Sequence, residues 1–201
     1  MKEKKSLAQV WRTSERNFGT RKDVLGVALD NEHSYCWPMG FWADANYMID
    51  TPINLKKGTP GYNFEERARA LYADAVKQFE TEKTTQIMRP FGCDMAYVDA
   101  QVNYLIMDEL LYVWEELGLN KDIKLVYSTP TKYYTALKKD NSGAMIEKGG
   151  WPVRKDDSFP VSLKANGQST FFTGYYSSRP AIKASLRKLT TSFHSMTRLL
   201  S

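Results

Sequence analysis

TQIMRPFGCDMAYVDAQVNYLIMDELLYVWEELGLNKDIKLVY, residues 85–127, is the stretch whose pattern decides the fold. Thr85 to Met88 reads as a short buried strand, closed off by Pro90 and Gly92. Asp99 to Leu117 reads as a long amphipathic helix. Val102, Leu105, Ile106, Leu110, Val113, Trp114 and Leu117 recur at helical spacing, and Gly118 stops the run. Ile123 to Tyr127 reads as a second strand. Strand, helix and strand in that order imply parallel strands joined by a helical crossover. Between the first strand and the helix stands a lone acid among apolar neighbours, Asp94. Two roles fit it. It caps the helix that follows, as Asp commonly does. Or it is a proton donor at the carboxyl end of a strand, where apolar surroundings raise a carboxyl pKa.

Working outward, Glu65 to Lys83 has the spacing of a helix, with Ala68, Leu71, Tyr72, Ala75, Val76 and Phe79 on one face. Its two leading glutamates suit a positive helix end. Residues 6–16 read as a short helix with Leu7, Val10 and Trp11 together. Residues 19–62 are irregular and rich in Gly, Pro, Asn and aromatics, a length that suggests a functional excursion. Thr131 to Lys139 reads as a further helix, and residues 140–170 as loop. A last helix follows Arg179 and Pro180, with Ile182, Leu186, Leu189, Phe193, Met196 and Leu200 as its stripe. Two strands cannot alone make a sheet buried on both faces. The expectation is α/β: the later part of a parallel α/β catalytic domain, then the first helix of a bundle.

The 201 residues are 42% hydrophobic and 25% charged, with net charge +5, which is ordinary for a globular chain. The tightest basic cluster, Lys2, Lys4 and Lys5, is terminal, and no basic stripe or known module supports nucleic-acid binding. No apolar stretch is long enough for a membrane span, and no apolar run behind Met1 marks a signal peptide. Two cysteines, Cys36 and Cys93, make no disulfide framework and read as free and buried.

Five blocks, in order, resemble glycoside hydrolase family 38, the zinc-dependent α-mannosidases of lysosomal type. They are QVWR (9–12), FGCDM (91–95), VYSTP (126–130), DDSFP (156–160) and FFTGYYSSRP (171–180). The last is the most specific. The resemblance implies a domain over residues 1–170 that is part of the family's catalytic domain, with 171–201 opening its three-helix bundle. It implies a retaining hydrolase of terminal α-mannosides on glycoproteins or oligosaccharides, working through two carboxylates roughly 5 Å apart. Asp94 falls where the family places its acid/base. Phe172 falls where it carries a Trp that stacks on the sugar; Phe keeps an apolar face and loses the indole donor. Asp44 matches a substrate-contacting acid, and Tyr175 and Arg179 are candidates to line the same cleft. An Arg179 pairing with Asp156 or Asp157 is the structural alternative for that arginine.

The departures are as informative. The family holds zinc with two His and two Asp, starting from a His-x-Asp-x-Gly-Trp block, and no such block is present. One of those acids is also the nucleophile. This chain has only His33 and His194, too far apart to form a spaced ligand pair. The expectation is zinc in the full-length family but no cofactor, metal site or nucleophile in these residues. The implied partners are a mannose-containing oligosaccharide and the remainder of the α-mannosidase. The implied setting is lysosome, vacuole or secretion. A reading of another class is a non-catalytic carbohydrate-binding or scaffold protein derived from the same fold. In it Trp37, Phe41, Trp42, Phe171 and Phe172 stack on sugars, where the alternative is core packing.

Overall fold

The computed structural model describes residues 7–12, 14–19, 23–28, 38, 41, 52–82, 84–93, 96–140, 151–155, 162–165, 168–171, 174 and 177–200. The chain divides into two units, Met1–Lys155 and Asp156–Ser201.

In the first unit, strand β1 (Ala8–Arg12) pairs antiparallel with β2 (Asp23–Val27), Ala8 opposite Val27 and Arg12 opposite Asp23. It pairs parallel with the short β3 (Val153–Arg154), Val10 opposite Val153. A single helical turn, α1 (Glu15–Phe18), follows β1. This corrects the helix expected over 6–16. Leu7, Val10 and Trp11 fit a helical face over so short a run, but Val and Trp also suit a pleated surface, and pairing with β2 and β3 decides the outcome. The expected loops likewise hold strands: β2 within 19–62, and within 140–170 β3 together with the strands at Ser162–Ala165 and Gln168–Phe171. The two expected parallel strands are absent from the described sheets, since residues 85–88 and 123–127 fall in no ladder. An apolar run becomes a strand only beside a neighbour that pairs with it. What stands is a small mixed sheet with helices, compatible with α/β and short of a parallel catalytic sheet.

Helix α2 (Phe64–Thr81) buries Phe64, Ala68, Leu71 and Ala75, and α3 (Ala100–Glu116) buries Ile106, Leu110, Val113 and Trp114. These residues and Phe41 form the main core. Trp114 is anchored twice: its Nε1 donates to the Ile123 carbonyl at 2.8 Å, and its ring lies 5.9 Å from that of Tyr72. Val102 and Leu105, expected in the α3 stripe, are exposed, so the buried face is narrower than the sequence pattern. Gly118 adopts φ 70, the left-handed conformation that ends α3. Helix α4 (Pro130–Lys139) is opened by the Thr129 side chain, which accepts from the Lys132 amide. Its Tyr133 and Leu137 pack with Ala8 into a second cluster beneath the sheet.

In the second unit, β4 (Ser162–Ala165) and β5 (Gln168–Phe171) form an antiparallel hairpin. Helix α5 (Pro180–Leu200) follows and has no buried residue. No helix among the described residues is long and apolar enough to cross a membrane.

Candidate active site

The four side chains proposed for chemistry from sequence, Asp94, Phe172, Asp44 and Tyr175, lie outside the described residues, as do His33, Trp37 and Trp42. The described residues on either side of Asp94 supply a frame. On its amino side, Phe91 packs against Phe41, ring centroids 6.1 Å apart. On its carboxyl side, Tyr97 adopts φ 65. For a bulky residue this left-handed conformation costs about 1–2 kcal/mol, and strain of this kind clusters at functional sites. The Tyr97 hydroxyl donates to the Phe91 carbonyl at 2.6 Å. The Ala96 amide donates to the Cys93 carbonyl at 3.2 Å. A Cβ placed on Gly92 would lie 3.4 Å from the Tyr97 ring, so the ring lies close over the turn.

Cys93 is disulfide-bonded, and no free cysteine is found among the described residues. This corrects the expectation that Cys36 and Cys93 are free. A count of two argues against a framework of several bridges and says nothing against a single one, because spatial approach and not number decides.

The cap of α3 is Asp99. Its side chain accepts from the Val102 amide at 3.4 Å, and its carbonyl accepts from the Asn103 side chain at 3.0 Å. The helix begins six residues after Asp94, with an acid of its own in the capping position. Sequence reading placed the helix start at Asp99 yet offered Asp94 as the cap. The signal that separates them is Asp99 standing directly before the helical run.

Beside this frame opens a cleft of about 590 Å³. Ile87 to Phe91, Tyr97 and Tyr104 line it, with Leu125 to Thr129 and Tyr133 also on its walls. Two of its phenols are held neutral. Burial, with a hydrogen bond and the charge of Asp108, pushes the Tyr127 phenol well above its usual range; its hydroxyl donates to Asp108 Oδ1 at 2.8 Å. Burial, with the charge of Glu82, does the same for Tyr133. Neither phenol can exchange protons as an acid or base near neutral pH. Arg89 meets Asp74 at 2.7 Å, which places a fixed cation on the cleft wall. The described cleft therefore offers a largely apolar surface with the Arg89 cation on its wall.

No group of three or more His, Cys, Asp or Glu side chains that could hold a metal occurs among the described residues. His194 lies on α5, exposed, with its ring 5.9 Å from Phe193. The described donor set does not fit the zinc that the resemblance implies. Phe41, one of the aromatics weighed as a sugar platform, is fully buried, 5.8 Å edge-on to Phe64, and is a core residue.

Against known proteins, residues 1–162 match the glycosyl hydrolases family 38 N-terminal domain. The chain belongs to glycoside hydrolase family 38. Its similarity extends to particular members. It is 29% identical to the lysosomal alpha-mannosidase of Dictyostelium discoideum over 98% of this chain and 18% of that protein. It is 30% identical to the lysosomal alpha-mannosidase of Bos taurus over 88% of this chain and 17% of that protein. The human lysosomal alpha-mannosidase is 28% identical over 90% of this chain and 17% of that protein. The chain thus spans less than a fifth of the length of these relatives.

Proposed function

We propose that this chain is part of an α-mannosidase that hydrolyses terminal α-mannosides of glycoproteins or oligosaccharides with retention of configuration. Asp94 is its acid/base: it protonates the leaving oxygen, then takes a proton from water in the second step. The observation that carries this assignment is the cap of α3. Asp99 performs the task that would otherwise explain Asp94, so the acid in the family's FGCDM block is left without that structural employment. Phe172, Asp44 and Tyr175 contact the sugar. The nucleophile and the zinc ligands belong to other parts of the enzyme, so the 201 residues alone are inactive. Residues 171–201 open the bundle, and the unburied stripe of α5 supports a helix whose partners lie elsewhere.

A lysosomal setting fits the lysosomal alpha-mannosidases that the chain is similar to, and the Cys93 disulfide supports an oxidising route to it. Purified chain with added zinc should release no product from an aryl α-mannoside. Clear zinc-dependent turnover would overturn the reading of an incomplete site. In the complete enzyme, Asp94→Asn should lower turnover by at least a hundredfold, within the range of general acid–base catalysis. Unchanged turnover would overturn the role of Asp94.

A further inference from the structure

We infer that the apolar stripe of α5 is the seat of an acidic helix from the remainder of the enzyme, which packs along it as a partner of coiled-coil type. The inference rests on the reading of residues 171–201 as the opening of a bundle, and names the chemistry of the helix that joins it.

Spacing comes first. Ile182, Leu186, Leu189, Phe193, Met196 and Leu200 follow one another at alternating steps of four and three residues, and each is more than half exposed. That alternation averages about 3.5 residues, the period of a helix that packs along a second helix. At about 100° per residue the six lie within about 80° of the helix surface. A helix laid on a broad core shows a wider apolar face, upward of about 100°. The narrow seam therefore suits one facing helix better than a flat surface.

The two sides of the seam differ in chemistry. One carries Ser185 and Ser192, small enough for a neighbouring helix to come close. The other carries Lys183, Arg187, His194 and Arg198, which fall within about 60° of one another. Between Pro180 and Leu200 there is no Asp or Glu. A helix docked on the stripe meets this row of positive charge, and flanking charge is what selects the partner in such pairs. A second copy of α5 brings the same cations and is disfavoured, whereas a helix with Asp or Glu along its flank is favoured. Thr197, beside the seam, returns its hydroxyl to the His194 carbonyl at 3.0 Å, so a covering helix strands no donor there. The chain spans less than a fifth of the length of its relatives, which leaves ample sequence to supply such a helix.

The test uses the 201-residue chain and two labelled peptides of three heptads. Each peptide has Leu at every seam position, flanked in one by Glu and in the other by Lys. Fluorescence anisotropy should show the Glu peptide bound about tenfold more tightly than the Lys peptide at low salt. The gap should close in 1 M salt, where the screening length falls to about 3 Å. Lys183→Glu with Arg187→Glu should reverse the order. Should that chain fail to fold, Arg198→Glu should narrow the gap on its own. Leu189→Ala with Phe193→Ala should release both peptides and leave the helix content, read by circular dichroism, intact. Equal affinity for the two peptides overturns the acidic partner and leaves the bundle reading standing. Binding of neither overturns both. Self-association of the chain in sedimentation velocity, or co-sedimentation with phosphatidylserine vesicles, gives the face to a second copy or to a membrane and overturns the inference.

Discussion

Helices α3 and α5 carry apolar stripes of similar quality and meet opposite fates. On α3, Leu110, Val113 and Trp114 are each 2% exposed. On α5, Leu189, Phe193 and Met196 are more than 60% exposed. Both segments are helical, so the local pattern suffices to define a helix. It does not supply the surface that the helix packs against. Helix α3 has α2, Phe41 and the segment from Leu117 to Leu125 around it. Helix α5 has no such cluster among the described residues of its unit. Most helical stability comes from burying an amphipathic face, so the two helices should respond very differently to the same substitution.

The largest contrast lies in the stripes. Leu110→Ala removes a side chain packed on all sides and should lower the unfolding free energy by about 2–5 kcal/mol. Leu189→Ala removes one already in water and should stay within about 0.5 kcal/mol. Paired urea titrations of this chain read both. Equal losses would show that α5 is buried in solution and would break the comparison.

The same contrast explains what the sequence could disclose. The cores of α2 and α3 were legible because Ala68, Leu71, Ala75, Ile106, Leu110, Val113 and Trp114 recur with one period and no competing one. Pro180 and Gly118 marked a start and a stop for conformational reasons that act locally. The sheet was not legible. Val10 and Trp11 suit either a strand or a short helical face, and only their partners in β2 and β3 decide. Residues 85–88 and 123–127 show the converse: strand-like composition with no ladder beside it. At the candidate site, the FGCDM block pointed to Asp94 by resemblance alone; the family match covers residues 1–162 as a whole. The bond from Tyr97 to Phe91 was not legible, because neither it nor the positive φ of Tyr97 follows from spacing. The Cys93 disulfide escaped for the same reason, since it depends on approach in space.

The amino ends of the two helices give a smaller contrast. Helix α3 is opened by a side-chain cap at Asp99, whereas α5 is opened by Pro180. Asp99→Ala should lower the unfolding free energy by about 1 kcal/mol. Asp94→Ala, five residues before the cap, should leave it within about 0.5 kcal/mol. If instead Asp94→Ala costs as much as Asp99→Ala, Asp94 has a structural task and the case for its chemistry weakens.

The smallest effect at neutral pH comes from a phenol, and it extends the contrast between buried and exposed faces to titration. Tyr133 is 6% exposed, in the cluster with Ala8 and Leu137. Burial, reinforced by the charge of Glu82, raises its pKa above the ordinary value of about 10. The folded phenol then binds its proton more tightly than the unfolded one. Below about pH 10 both states are protonated and the stabilisation is fully present. Above that pH the unfolded state releases its proton first, and stability falls as pH rises. Tyr112, on the exposed side of α3, is also raised, first by its hydrogen bond to Glu116, but solvent screens that interaction. Tyr133→Phe should therefore flatten the loss of stability between pH 10 and 12, and Tyr112→Phe should leave most of it. Thermal melts of the three chains across that range read the difference. A Tyr133→Phe chain that still loses stability as steeply as the parent would place the controlling phenol outside the buried cluster.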